Sequence, residues 1–187
     1  MLKKESSMKK SFISVSILFV GFIIVQGYLV AQSTQPARFS SSSIDIGIVV
    51  KDLELTAKFY SEVIGLKEVE GFNVPGESGK RFGLTDNQSI NVRVFLLGEA
   101  PNSAKLKVMS FPNKRGKQQS QEFIHSTLGF SYLTVFVEDM TNALSRLRKA
   151  NVILLGESPA SLGENQYLTV FKDPDGNFFE LIGPMKQ

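Results

Sequence analysis

The sequence contains no cysteine. That absence excludes a disulfide framework, a thiolate metal site, a cysteine nucleophile and a lipid-modified N-terminal cysteine, so stability has to come from an ordinary apolar core. Histidine is nearly absent too: His125, in Phe123-Ile124-His125-Ser126, is the sole example. One imidazole supports neither a histidine-rich metal site nor a Ser/His/Asp triad. An excess of charge is also missing once the N-terminus is set aside. Of 21 Lys and Arg and 18 Asp and Glu, four Lys and one Glu fall within residues 1–31, leaving 17 of each in the remainder. A neutral domain lacks the clustered cationic face that nucleic-acid binding requires, so no nucleic acid is expected as a partner. The run Lys114-Arg115-Gly116-Lys117 is a local exception and reads as a solvated loop.

What is present at the N-terminus is a targeting pattern. Lys3, Lys4, Lys9 and Lys10 precede an almost uncharged apolar stretch from Phe12 to Ala31, the layout of a secretory signal. The stretch is also long enough to span a bilayer, so residues 1–31 are expected to be a signal peptide or an N-terminal membrane anchor. Both readings export the domain, as a periplasmic or secreted protein or as one held to the membrane through this segment alone. A Ser/Gln-rich linker over 32–43 follows, and residues 44–184 fit one domain of common size.

Within that domain a pattern occurs twice. Ser43 to Val50 alternates, with Ile44, Ile46, Ile48 and Val50 on one face and Asp45, Gly47 and Val49 on the other, which predicts a strand. Asp52 then caps a helix carrying Leu55, Phe59 and Val63, and Gly65 stops it. Strands are predicted from Leu66 to Val69, Arg81 to Leu84, Ile90 to Leu97 and Lys105 to Phe111, with Pro75-Gly76-Glu77 and Asp86-Asn87 as turns. The scheme restarts 87 residues on, where Asp139 takes the place of Asp52. A strand over Phe130 to Val137 precedes an amphipathic helix over Met140 to Ala150, and strands follow near Val152 to Leu155, Tyr167 to Lys172 and Phe178 to Ile182. Asp173-Pro174-Asp175-Gly176-Asn177 suits a tight turn feeding the last strand, and the Phe178-Phe179 that follows it rules out an EF-hand loop. Ser161-Leu162-Gly163-Glu164 has no Walker-like ending and makes a poor phosphate cradle.

Val50-Lys51-Asp52-Leu53 with Phe59-Tyr60 and Gly65-Leu66, then Asp173 to Asn177 followed by Phe179-Glu180-Leu181, resemble the vicinal oxygen chelate superfamily. That superfamily includes glyoxalase I, extradiol dioxygenases, fosfomycin resistance enzymes and bleomycin resistance proteins. The resemblance implies an α+β fold of two paired βαβββ modules whose curved mixed sheets enclose a cavity. Module one would span 44–111, a loop 112–129 and module two 130–184. It is specific for the fold and weak for the reaction.

Metallo-enzymes of the superfamily place His or Gln, Glu, His and Glu on the first and last strand of each module, around a divalent ion with open positions for substrate oxygens. Carried over, these positions fall on Asp45, Lys107, Tyr132 and Glu180, and only Glu180 matches. A protonated Lys107 cannot ligate a metal, and Tyr132 would have to lose a proton from a group whose reference pKa is about 10. Lys107 is therefore expected to replace the metal's charge, pairing with Asp45, Glu180 or both, and no cofactor is expected. The resemblance then implies an exported domain that binds a small organic molecule against Tyr132, Thr134, Phe136, Phe178 and Glu180, much as bleomycin resistance proteins sequester ligands without chemistry. Abundant Phe, 15 residues, suits an apolar pocket with few polar fixing groups. The alternative is a glyoxalase-like lyase or dioxygenase with a divalent metal ion at a diverged site, Asp45 and Glu180 serving as ligands or as acid and base. Relatives form cavities within monomers or between modules of a homodimer, and the sequence leaves both open.

Overall fold

A computed structural model describes residues 38–118 and 120–186. The expected targeting segment, 1–31, and the linker through residue 37 lie outside the described residues. Among the described residues no helix is long and apolar enough to cross a membrane.

Each half of the domain builds one four-stranded mixed sheet. The first half runs β1 (Asp45–Val49), α1 (Leu53–Lys58), β2 (Lys67–Val74), α2 (Gly76–Arg81), β3 (Ile90–Leu96) and β4 (Lys105–Ser110). The second runs β5 (Tyr132–Phe136), α3 (Met140–Lys149), β6 (Leu154–Gly163), β7 (Gln166–Lys172) and β8 (Phe178–Pro184). The sheets have orders β1-β4-β3-β2 and β5-β8-β7-β6, with only the β1/β4 and β5/β8 pairs parallel. These are the paired βαβββ modules expected from the sequence, and neither sheet closes into a barrel.

Local chemistry sets the boundaries. The carboxylates of Asp52 and Asp139 each accept the backbone N–H three residues on, of Leu55 and Asn142, at 3.0 Å, which satisfies one orphan donor of each helix start. After Lys58, α1 continues as a π-helical stretch from Phe59 to Ile64, closed by Gly65 at φ +91°, whose N–H bonds Tyr60 O. In β2 the register shifts between Val69 and Phe72, and a Cβ on Gly71 would lie 2.2 Å from Val92 O. Only glycine lets the backbones approach so closely at this bulge, and the bulge curls the sheet.

One predicted strand does not form. Arg81 to Leu84 lies at the end of α2 and in the turns beyond it, while β2 extends to Val74 and supplies the module's second strand. Pro75 ends that strand, and Gly76 packs so near Asn87 O that any side chain would collide at 2.2 Å, which closes a compact helical return instead. Phe82 and Leu84 are 58% and 67% exposed, so no core was available to fix them as a strand. β6 also outruns its prediction. It holds Pro159 because it is an edge strand whose register breaks between Leu155 and Ala160, one of the few places a sheet accepts proline.

The two sheets share one core. Ile46, Ile48, Val50, Leu106, Val108 and Phe95 from the first sheet join Leu133, Val135, Phe171, Phe179 and Leu181 from the second in a single cluster with Tyr60, Met140 and Leu147 of the helices. The Tyr60 ring lies 6.3 Å from that of Phe95 and 6.1 Å from that of Phe179, so α1 and its extension are held between the sheets. Each fully buried Phe here contributes roughly 1.5–3 kcal/mol relative to exposure. Polar groups fix the alignment: the Tyr60 hydroxyl donates to Asp173 at 2.7 Å, and Arg146 of α3 donates to the carbonyls of Val63 and Ile64 at 2.9 and 3.1 Å.

Candidate functional site

Strand alternation decides which side chains leave the core. With Ile46 and Ile48 committed inward, Asp45, Gly47 and Val49 face the other side of the first sheet, as do Lys105, Lys107 and Met109 of β4. Ile90, Val92 and Val94 of β3 add a second apolar cluster with Met109, Val69 and Val74. In the second sheet Leu133, Val135, Phe179 and Leu181 point inward, so Tyr132, Thr134, Phe136, Phe178 and Glu180 share the opposite face.

On the first sheet Lys107 Nζ lies 2.8 Å from Asp45 Oδ2, both side chains about one third exposed. Asp45 opposes Lys105 and Lys107 opposes Gly47 in the parallel ladder, so the pair is a diagonal contact across one face. The hydrogen bond from Lys107 is the main reason the Asp45 carboxyl sits below its usual range; loss of solvent opposes it, and the charges of Lys107 and then Lys105 add smaller effects in the same direction as the hydrogen bond. The second sheet has a separate arrangement. Thr134 and Glu180 are ladder partners, and the threonine hydroxyl donates to Glu180 Oε2 at 2.7 Å. Lys172 Nζ stands 4.6 Å from the centre of the Phe178 ring, a cation–π distance. Tyr132 is 50% and Phe136 76% exposed.

The pairing expected of Lys107 therefore forms with Asp45, whereas Glu180 takes its hydrogen bond from Thr134. The structure does not bring the two groups together within one chain. Each stands on the face of its own sheet turned away from the shared core, and among the described residues no hydrogen bond or ion pair links them. Clefts of about 740, 570 and 510 Å3 open elsewhere and contain none of the seven predicted site residues.

The four family positions supply two carboxylates, a phenol and an ammonium, and the ammonium already occupies Asp45. That donor set does not fit a divalent ion, which needs several convergent oxygen or nitrogen lone pairs. Among the described residues no three His, Asp or Glu side chains gather as a metal-holding group. His125 lies outside both sheets and stacks on Phe123, ring centres 5.5 Å apart.

The turn at 173–177 does more than feed β8. Asp173 accepts the N–H groups of Asp175 and Asn177 as well as the Tyr60 hydroxyl, and Asp175 accepts Lys51 N–H and the Thr56 hydroxyl, each at 2.8 Å. Turn propensity alone did not show this bond between modules. The signal available in the sequence was two carboxylates where one suffices for the turn, beside a Phe-Tyr pair whose hydroxyl needs a buried partner.

Solved structures share this architecture. A glyoxalase family protein from Bacillus cereus superposes with a TM-score of 0.67 at 22% identity, covering 82% of this chain and all of that one. A glyoxylase/bleomycin resistance protein/dioxygenase domain from Frankia follows at 0.51 and 19%, covering 80% and 95%. A glyoxalase I mutant from Zea mays gives 0.56 and 18%, over 75% of this chain and 47% of that one. At such identities the likeness speaks for the fold alone. A search of curated proteins gives no match. By sequence, the family model described as Glyoxalase/Bleomycin resistance protein/Dioxygenase superfamily matches residues 44–181, from the first strand nearly to the end of the last, and the chain belongs to that superfamily.

Proposed function

We propose that this protein is an exported binding domain that holds a small organic molecule without a metal ion, in a cavity completed by a second copy of the chain. The observation that carries the metal-free reading is the 2.8 Å contact between Lys107 Nζ and Asp45 Oδ2. It places a fixed positive charge beside a carboxylate at a position where metallo-relatives hold a ligand. A bound ion there would have to displace an ammonium group and meet its repulsion.

The ligand class follows from the second sheet. Tyr132 and Phe136 offer aromatic surface, Phe178 being buried, while Thr134 and Glu180 offer one hydroxyl and one carboxylate for orientation, a composition suited to an apolar molecule with a few polar groups. Both candidate faces turn away from the core of their own chain, and Leu128, Phe130 and Phe136 are largely exposed beside the second of them. A two-fold partner that set its first sheet against this face would cover these side chains twice over and enclose two equivalent cavities. Export rests on the N-terminal pattern of the sequence.

The test is elemental analysis of protein purified without chelator, with calorimetric titration of divalent ions and sedimentation to determine assembly state. The unmodified protein is expected to be metal-poor and dimeric, and the Lys107→Glu/Tyr132→His double variant to gain metal affinity. Stoichiometric metal in the unmodified protein would overturn the reading in favour of a glyoxalase-like lyase or dioxygenase. A monomer at micromolar concentration would remove the shared cavity.

A further inference from the structure

The cleft of about 740 Å3 lies where the end of β1 meets the loop after β4 and the turn before β8. Its wall includes Lys51, Arg115, Lys117, Asp52, Asp175 and Gln121. Both carboxylates are already engaged. Asp52 caps α1 through Leu55 N–H, and the two oxygens of Asp175 accept Lys51 N–H and the Thr56 hydroxyl. A fourth cation on the wall, Lys114, is paired with Asp86. Lys51, Arg115 and Lys117 have no carboxylate within ion-pair reach among the described residues. Hydrogen bonds from neutral donors leave both carboxylates charged, so with Lys114 paired the wall holds three cations against two carboxylates, a net positive charge in a concave space where its field is focused.

A second observation points to an occupant. Among the described residues Gln121 Oε1 is buried with no hydrogen-bond donor, an unfavourable state for a carbonyl oxygen removed from water. The residue is held in place by its own backbone carbonyl, which accepts from Lys172 Nζ at 2.5 Å, and the loop is strapped to the turn by Gln118 Nε2 donating to Asp175 O. The basic run is the solvated loop expected from the sequence, its residues exposed, and Lys114 and Gln118 tie it to Asp86 and Asp175.

We propose that this cleft is a binding site for a small oxyanion that carries a neighbouring hydroxyl or N–H group, such as a phosphorylated or carboxylated polyol. Arg115, with Lys51 and Lys117, holds the oxyanion, the planar guanidinium matching two of its oxygens. The adjacent donor satisfies Gln121 Oε1. The volume suits a metabolite-sized ligand. None of the seven residues considered for the sheet faces lines this cleft, so the inference stands apart from the reading above.

Calorimetry or amide chemical-shift titration of the whole protein in low-salt, phosphate-free buffer tests it, with inorganic phosphate, glycerol 3-phosphate and glycerol as probes. Phosphate and glycerol 3-phosphate are expected to bind, the latter more tightly, and glycerol alone not to. Arg115→Gln/Lys117→Gln should weaken both anions at least about tenfold, the scale of one charge-assisted hydrogen bond. Gln121→Leu should leave phosphate binding within about twofold and abolish the preference for glycerol 3-phosphate. Lys149→Gln, a cation on α3 outside the cleft, should change nothing, and melting curves of all variants establish that they are folded. Unaltered anion affinity in the double variant, or no anion binding at millimolar concentration, overturns the site. Binding to phosphatidylglycerol vesicles without binding to either free anion overturns it in favour of a membrane surface. A preference that survives Gln121→Leu overturns the role given to that carbonyl.

Discussion

Removing a single oxygen from Tyr60 should loosen the joint between the two modules. The side chain is 1% exposed, and its hydroxyl donates to Asp173 Oδ2 at 2.7 Å, Asp173 itself being 5% exposed. In a Tyr60→Phe variant the ring keeps its neighbours Phe59, Phe95 and Phe179, so apolar packing is retained. Among the described residues Asp173 Oδ2 is left with Asn177 Nδ2 alone, at 2.9 Å. The loss is one hydrogen bond to a buried carboxylate, about 1.5–3 kcal/mol. For a domain of this size that corresponds to a fall in melting temperature of roughly 4–9 °C, measurable by circular dichroism. A pH signature separates this bond from a general packing defect. Burial, then the charge of Asp173 and the hydrogen bond to it, raise the Tyr60 phenol well above its ordinary value. Above about pH 10 the unfolded chain therefore releases a proton that the native protein retains, and native stability falls by up to about 1.4 kcal/mol per pH unit. The variant should lose that one-proton component of the alkaline slope. A melting temperature within about 1 °C of the parent, with the slope unchanged, would refute the assignment.

Two further predictions concern other joints. Lys107→Met should return the Asp45 carboxyl toward the usual aspartate range, read from its side-chain 13C shift across an acid titration. Because the folded value is lowered in the parent, the pair's stabilising effect is present above the unfolded pKa and disappears as pH falls through the folded one; the variant should lack that acid-side component. Arg146→Met removes donors to Val63 O and Ile64 O at the end of the π-helical stretch and should cost about 1–2 kcal/mol in urea unfolding, with little change in m-value.

Much of this fold is legible in the sequence because its signals are local. Alternation from Ser43 to Val50 gives both the strand and its two faces, and the capping aspartates Asp52 and Asp139 and the stop at Gly65 mark the helices. The same parity places Asp45 and Lys107 on one face and Thr134 and Glu180 on another, as observed. Parity cannot say how two sheets stack. That depends on ring contacts such as Phe59 with Phe171 and Tyr60 with Phe179, made between residues more than a hundred positions apart. For the same reason a cavity within one chain could be imagined from the sequence, while the structure turns the two faces outward. Phe82 and Leu84 misled because an apolar pair suggests a strand wherever it occurs, and only the close approach of Gly76 to Asn87 reveals the turn.

The bonds from Tyr60, Thr56 and Lys51 to the turn before β8 span 113, 119 and 124 residues. As the chain emerges from a ribosome, α1 therefore arrives long before the strands that cover it. Phe59 and Tyr60 keep one side uncovered until residues 171–181 have followed, so the first module is expected to complete its tertiary structure only after the second has been delivered. A nascent chain halted before Asp173 would present that aromatic surface to holding chaperones, which makes the length at which protease resistance first appears a direct reading of when the two halves meet.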